Sequence, residues 1–414
     1  MVPGRETAYQ VVIVGGGYGG QAAAHELAKL GLAHKALLVD RRGRAGYPAA
    51  STSGIASFWL KKLGFPPVES SVSSPINSFR IFIPGDAPEK KRILNNTNLL
   101  AGDLGFVLNE DDFLGRLERF SLSKGLTAWH SCAVEDVVRS DGGYHVAVRD
   151  GKTVRLVTTR WVLDAGGYDA RVSRKFGIVR ELEPESFHMG FEQTIEENAV
   201  LPKDQVGMWI GSTSPAGYIW DFPCSFKGRP ARRVGIGTPI SVKDEAGRTI
   251  ATKTFFNRWL KQNPRYDTKP LQREGGIIPT YRPPRTLHAG RVLSIGDSAR
   301  LCDPVTGGGI HQALASGVMA ARTVAEGQPD HYEPLVRPYT KEMRARWAMK
   351  QTILSMSDAD LRQFFTWFCE FPMPEGDFNP YTVRRDLLRF VRKKGFRPIK
   401  TLWKAGRLWK ALAG

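Results

Sequence analysis

At 414 residues, 42% of them hydrophobic, the chain is long enough for two or more packed layers around a sizeable core. No apolar run nears the ~18 residues that span a bilayer, no leader pattern opens the chain, and four scattered cysteines (Cys132, Cys224, Cys302, Cys369) suggest neither a disulfide framework nor a metal site, so a cytoplasmic protein is expected. The 59 Lys and Arg outnumber 41 Asp and Glu to leave a formal charge of +18, which favours an anionic partner: nucleic acid, a phospholipid surface or a phosphate-bearing ligand.

Residues Gln10 to Asp40 read as a βαβ unit: apolar QVVIVG, a glycine turn, a helix from Tyr18 to Leu30 with Ala22, Leu27 and Leu30 on a helical period, then ALLVD. Gly15, Gly17 and Gly20 fit Gly-x-Gly-x-x-Gly. The first allows a tight turn, the second lets backbone approach a pyrophosphate, and the third permits close helix-to-strand packing. The anion then sits at the helix N-terminus, where unpaired N–H groups and the dipole favour negative charge. Asp40 ends the next strand and is placed to accept hydrogen bonds from ribose hydroxyls, with Arg41 beside it as a further cofactor contact. An acid there argues against a 2′-phosphate, so FAD or NAD fits better than NADP.

Further along, a helix from about Asp111 precedes strands around Val134–Val138, Tyr144–Val148 and Val154–Val157, joined by Asp-Gly turns into a small meander. Residues from about Leu182 to Gly276 show short β-like pieces broken by Gly and Pro, read as an antiparallel substrate sheet. A second glycine-rich turn follows, in SIGDSARLCDPVTGGGIHQALASG: a strand runs into Gly296 and Asp297, then Pro304, Gly307, Gly308, Gly309 and Ile310 open a helix. Unlike NAD, an extended FAD needs a second contact for its ribityl and flavin end, with Asp297 on a ribityl hydroxyl and the glycines facing the flavin. After Ala325 the pattern is helical and increasingly basic, with Pro372, Pro374 and Pro380 forming a break.

The paired turns resemble those of the para-hydroxybenzoate-hydroxylase-like flavoproteins, and GDSARLCDPVTGGGIHQALASG is most similar to the geranylgeranyl reductase branch. GYIWDFP carries the same resemblance: Tyr218, Trp220, Phe222 and Pro223 match the Tyr-x-Trp-x-Phe-Pro motif that lines the lipid channel beside the flavin in that family. Alternation puts the three aromatics on one strand face, a flat apolar wall suited to an isoprenoid chain. The resemblance covers most of residues 10 to 325. It implies an α/β fold with a Rossmann-like FAD-binding domain (8–70, 100–180 and 277–325), an antiparallel β-sheet substrate domain (71–99 and 181–276) and a C-terminal helical region (326–414). It also implies that Val134 meets the adenine and that the turn Val162 to Gly167 passes near the dinucleotide. Two departures stand out: Glu110 occupies a place where relatives often carry Arg, and Ser51 one where several carry Cys.

The activity so implied is reduction of prenyl double bonds, in a geranylgeranyl-type lipid, diphosphate or prenylquinone, by hydride from reduced flavin. Protonation must accompany it; Ser51 or Ser53 relaying a water, Tyr218 and His311 are the candidates, and none is singled out. Electrons would come from NAD(P)H, a ferredoxin-like protein or a quinol, since no second nucleotide domain is visible. The alternatives on the same scaffold are a flavin monooxygenase or halogenase, and a lycopene-cyclase-like enzyme without net redox change. Nucleic acid as partner leaves both glycine turns without purpose. The tail, Tyr381 to Gly414, holds eleven Lys or Arg and one acid, with Ile399, Leu402, Trp403, Trp409 and Leu412 at helical spacing. It is expected to seat the protein on an anionic membrane surface, at the inner face of the cell membrane.

Overall fold

The computed structural model describes residues 7–46, 52–86, 92–95, 104–243 and 246–369. Its strands, in chain order, are β1 (Thr7–Val14), β2 (Ala36–Val39), β3 (Gly54–Ile55), β4 (Val72–Ile76), β5 (Ser78–Phe82), β6 (Arg92–Asn95), β7 (Gly105–Leu108), β8 (Thr127–Trp129) and β9 (Cys132–Ser140). There follow β10 (Gly143–Asp150), β11 (Thr153–Asp164), β12 (His188–Glu196), β13 (Gln205–Ile210), β14 (Tyr218–Phe226), β15 (Arg229–Pro239), β16 (Gln272–Ile278), β17 (His288–Ala289) and β18 (Val292–Ser294). The helices are α1 (Tyr18–Lys29), α2 (Ser57–Leu63), α3 (Glu110–Ser123), α4 (Arg171–Lys175), α5 (Thr252–Gln262), α6 (Ile310–Glu326), α7 (Tyr332–Ile353) and α8 (Asp358–Cys369). None of the helices in the described residues is long and apolar enough to cross a membrane.

The chain divides into two compact units, and the first comprises residues 7–46, 109–181 and 281–344. Its sheet runs β17-β18-β11-β1-β2-β8, and β1 lies parallel to both β11 and β2. Val12, Ile13, Leu37, Leu38, Val162 and Leu163 are fully buried, the continuous apolar runs of a parallel sheet covered on both faces. β11 serves two structures. Its first half pairs with β10 of the meander, while its last three residues pair in parallel with β18. The chain ends of β1 and β18 therefore flank the end of β11, and the two glycine turns, far apart in sequence, leave adjacent strands. Their helices touch closely: a Cβ on Gly317 of α6 would lie 2.3 Å from the carbonyl oxygen of Gly19 in α1.

The second unit comprises the described residues among 52–108, 182–280 and 345–369. Its seven-stranded sheet, β16-β12-β15-β14-β13-β5-β6, is antiparallel except where β13 runs parallel to β5. Residues 252–262, included among the β-like pieces in the sequence reading, instead form α5. Phe255, Phe256, Trp259 and Leu260 recur at helical spacing and bury one face against Ile195, Ile219, Val234 and Ile236 of the sheet. Beneath that face Arg232 and Asp221 form a fully buried ion pair, Nε to Oδ1 2.7 Å, and Tyr266 donates its hydroxyl to Asp221 Oδ2 at 2.8 Å. Pro223 stands opposite Arg232 of β15, while on the other side β13 pairs with β14 only as far as Asp221. Residues 52–70 and 104–108, which the resemblance groups with the glycine turns, fall in the second unit, where β3 and β4 both pair with β7. Residues 345–369 join it too, through Leu361 of α8 packed on Ile81 and Ile83.

Candidate functional site

In the first glycine turn each glycine has a distinct geometric reason. Gly15 has φ +95°, and a Cβ there would meet the Ala165 carbonyl oxygen at 2.4 Å; one on Gly20 would lie 1.8 Å from the Gly15 carbonyl oxygen. Both positions need glycine for the fold itself. At Gly17 the space is open, the nearest group being Arg42 Nη2 at 3.9 Å. Gly17 opens α1 without a side-chain cap, and no acid stands in the first turn. An uncapped helix start with clear space before it suits an anion.

Asp40 is buried and already employed: Oδ2 accepts from the Gly16 amide at 3.0 Å and from Arg42 Nε at 3.1 Å, and Oδ1 accepts from the Arg42 amide at 3.0 Å. Oδ1 keeps an acceptor direction for a hydroxyl. Arg41 is exposed, and the cation over the glycine turn is Arg42, which sequence reading passed over. Its guanidinium is bracketed by Asp40 and, at 3.7 Å, by Glu110 at the start of α3. Glu110, the departure from the family pattern, thus holds the arginine of a neighbouring loop. The meander begins alongside, with the Cys132 amide on the Asp40 carbonyl at 3.1 Å, and Val134 is half-buried two residues on.

The second turn is organised around the end of β11. Asp164 is buried and accepts from the Gly166 amide (3.0 Å), the Ser173 amide (2.7 Å) and the Ser173 hydroxyl (2.6 Å), while the Ser298 hydroxyl bridges to the Gly167 carbonyl at 3.1 Å. Gly296 has φ +58° and donates its amide to Ser316 Oγ at 3.0 Å. Asp297, next in line, is half-buried and its carboxylate engages no donor among the described residues. Burial pushes its pKa up to about 6, opposed by the Arg300 guanidinium. Arg300 is buried with φ +56° and binds the carbonyls of Tyr168 (2.5 Å) and Arg180 (3.3 Å), tying this turn to the segment after β11. No glycine or charge pattern marks it in the sequence. Pro304 is buried, Gly307 to Gly309 are partly or fully exposed, and a Cβ on Gly309 would come within 3.1 Å of Asp297 Oδ1. Like α1, α6 starts at a glycine with no side-chain cap and no first-turn acid. Ile310 is buried behind it, and His311 is half-buried, its ring 6.5 Å from Tyr339.

These features fit FAD: an open, uncapped helix start for a pyrophosphate, an acid with a spare acceptor direction near it, and at the second turn a carboxylate that engages no donor among the described residues.

In the second unit Tyr218 and Trp220 lie on one face of β14, ring centroids 5.7 Å apart. Phe222 follows on that face, so close to Gly54 that a Cβ there would lie 2.9 Å from its ring. Trp220 is buried, and its Nε1 donates to Glu192 Oε2 on β12 at 2.7 Å. The Thr52 hydroxyl donates to the same oxygen. Nothing in HMGFEQTIE separates Glu192 from a solvated strand acid until the strands are registered. Of the candidate proton donors, Tyr218 lies in the second unit and His311 in the first; Ser51 lies outside the described residues. Ser53 is buried with φ +61°.

No family model matches the chain. Digeranylgeranylglycerophospholipid reductase of Thermoplasma volcanium is 27% identical over 365 residues, covering 85% of this chain and 89% of its own length. The protein of the same name from Picrophilus torridus is 27% identical over 369 residues, 86% and 90% of the two chains. Among solved structures, a geranylgeranyl bacteriochlorophyll reductase-like protein from Thermoplasma acidophilum matches with a TM-score of 0.83 and 25% identity, over 96% of this chain and 99% of that one. A halogenase in complex with FAD matches with a TM-score of 0.68 at 16% identity, over 93% and 83%, a likeness of fold.

Proposed function

We propose that this chain, a homologue of the geranylgeranyl reductases, is an FAD-dependent oxidoreductase that saturates prenyl C=C bonds of an isoprenoid lipid. The observation that carries the reading is similarity to digeranylgeranylglycerophospholipid reductases over 85% of the chain, joined to a three-residue aromatic face on β14 whose sequence resembles the motif of the geranylgeranyl reductases. Bound and reduced, FAD supplies a hydride equivalent to one alkene carbon. The chain's own residues do the rest. Gly17 and the start of α1 receive the pyrophosphate, Asp40 a ribose hydroxyl, and Asp297 a ribityl hydroxyl, with Pro304, Gly307, Gly308, Gly309 and Ile310 shaping the loop beside the ring system. Tyr218, Trp220 and Phe222 give the prenyl chain an apolar bed that excludes water.

The test is direct: chemically reduced protein, mixed anaerobically with geranylgeranyl phospholipid, geranylgeranyl diphosphate and a prenylquinone, should yield products heavier by two hydrogens per bond. Only oxygenated, halogenated or isomeric products across that panel would overturn the reading in favour of its scaffold relatives. Electrons are supplied by NAD(P)H or a ferredoxin-like protein, distinguished by which donor bleaches the flavin. The basic tail, Tyr381 to Gly414, lies outside the described residues; we assign it the role of holding the protein on anionic lipid at the cytoplasmic face. Full-length protein should cosediment with anionic vesicles in a salt-sensitive way, and a chain ending at Phe378 should not.

A further inference from the structure

We infer that Arg42 is the side chain that grips the pyrophosphate of the dinucleotide in front of α1, an assignment that rests on the FAD reading of the first glycine turn. Its guanidinium already stands at that place. Gly17, which opens α1, has open space where a side chain would be, and the nearest atom to a Cβ built there is Arg42 Nη2 at 3.9 Å. The guanidinium therefore borders the same space as the uncapped helix start, where an anion is favoured.

Main chain and side chain are both restrained. The Arg42 amide donates to Asp40 Oδ1 at 3.0 Å, and its carbonyl accepts from the Ser131 amide at 2.9 Å. Ser131 is held at φ +56°, a left-handed conformation that a serine keeps only where its surroundings impose it. On the side chain, Nε donates to Asp40 Oδ2 at 3.1 Å, Nη2 is also 3.1 Å from that oxygen, and Nη1 stands 3.7 Å from Glu110 Oε1. Both carboxylates are buried. An arginine held in this way has given up its rotamer freedom before a ligand arrives, so less is lost on binding.

The same geometry leaves donors to spare. A guanidinium carries five N–H groups in a planar fork. Nε and one edge of Nη2 are turned to Asp40, while Glu110 attracts Nη1 as a charge without coming into hydrogen-bond range. The N–H groups of Nη1 and the second one of Nη2 engage no acceptor among the described residues, and the oxygens of a phosphate match such a fork. The two carboxylates offset the charge of the guanidinium, so its hold on an anion comes from these short bonds and not from a long-range field.

The other cations around the turn are poorer candidates. Arg44 pairs through Nη2 with Asp111 Oδ2 at 2.7 Å, and both side chains lie at the surface. His130 gives Nε2 to Glu118 Oε1 at 2.9 Å, an oxygen that also accepts from Gln21 Nε2 at 3.0 Å, and the bond to Glu118 raises the pKa of the imidazole. Its Nδ1 is buried. Arg41 is exposed, and no hydrogen bond or ion pair among the described residues restrains its side chain.

The experiment measures equilibrium binding of FAD, ADP and adenosine to flavin-stripped full-length wild type, Arg42→Lys and Arg42→Ala, with FAD followed by fluorescence and the other two by competition. ADP carries the pyrophosphate and adenosine does not. Arg42→Ala should bind FAD and ADP about thirtyfold more weakly, and adenosine within about threefold of wild type. Arg42→Lys keeps the charge and loses the fork, so it should fall between, roughly fivefold down on ADP. Asp40 stays placed in either variant, because the Gly16 amide and the main-chain amide of residue 42 still hold it. The differences on ADP should persist at high salt. Equal losses on ADP and adenosine, no loss on ADP, a difference that vanishes at high salt, or failure of both variants to fold would overturn the assignment alone and leave Arg42 a structural counter-ion. A wild type that binds neither FAD nor ADP removes the FAD reading and this assignment with it.

Discussion

Glycine does opposite work in the two units. In the first, Gly15 and Gly20 clear space for backbone, a carbonyl oxygen sitting 2.4 Å and 1.8 Å from where their Cβ atoms would be, and the site that results is made largely of main-chain groups at helix starts. In the second, Gly235 clears space for a side chain, letting the Trp220 indole cross a strand to reach Glu192. A site built from backbone needs a short, contiguous run of residues and so leaves a motif. One built from side chains on neighbouring strands is assembled by register and leaves almost none.

The largest effect should come from Gly20→Val, which forces a side chain into the Gly15 carbonyl and should cost more than about 4 kcal/mol, seen as loss of folded protein. Gly17→Val sharpens the contrast. Its Cβ meets open space, so the variant should melt like the wild-type apoprotein while losing its yellow colour on gel filtration. Loss of fold in both variants would mean that Gly17 is a packing residue.

Next in size is Asp221→Ala in the side-chain-built unit. Removing the carboxylate strands a fully buried Arg232, and denaturant unfolding should show a loss of about 3–5 kcal/mol. FAD content of the folded fraction should be unchanged, because the pair lies on the α5 side of the sheet.

Acid titration separates the units by a smaller margin. Burial, reinforced by the Lys350 charge, holds His188 down to about 4, so the folded chain leaves it neutral where the unfolded chain protonates it near 6.5. Stability from this residue is complete above pH 6.5 and is lost as pH falls to about 4, a total on the order of 3 kcal/mol. His25 of the first unit, also lowered to about 4 by burial, acts in the same direction. His188→Gln should flatten part of the slope of unfolding free energy between pH 6.5 and 4 and leave the part due to His25. An unchanged slope would show that His188 is protonated in the fold.

The smallest effect belongs to Asp297→Asn. With its pKa near 6, the carboxylate becomes the stronger hydrogen-bond acceptor as pH rises through that value, so FAD should bind more tightly at pH 7.5 than at pH 5. Asp297→Asn should bind roughly tenfold more weakly at the higher pH and show no such rise, as measured by fluorescence titration of the apoprotein. Identical pH dependence in both proteins would remove Asp297 from the cofactor's contacts.

Much of the first unit was legible in advance, for a physical reason. The turn at Gly15 to Gly20, the strand that runs up to Asp40 and the meander with its Asp-Gly turns are local structures, dictated by residues a few positions apart. The same holds for the aromatic alternation of Tyr218, Trp220 and Phe222. The α5 helix was also written locally, in the spacing of Phe255, Phe256, Trp259 and Leu260, and was passed over because strand-like pieces surround it. What only the tertiary structure decided are the pairings between distant segments. That Arg42 rather than Arg41 turns toward Asp40 and Glu110, that Arg300 ties the second turn to the end of β11, and that Glu192 meets Trp220 across Gly235 all depend on which strands become neighbours and in what register. Sequence determines a residue's side of its own strand through a period of two, but its partners are chosen by the whole sheet, and a shift of one residue would have put Glu192 on the α5 face.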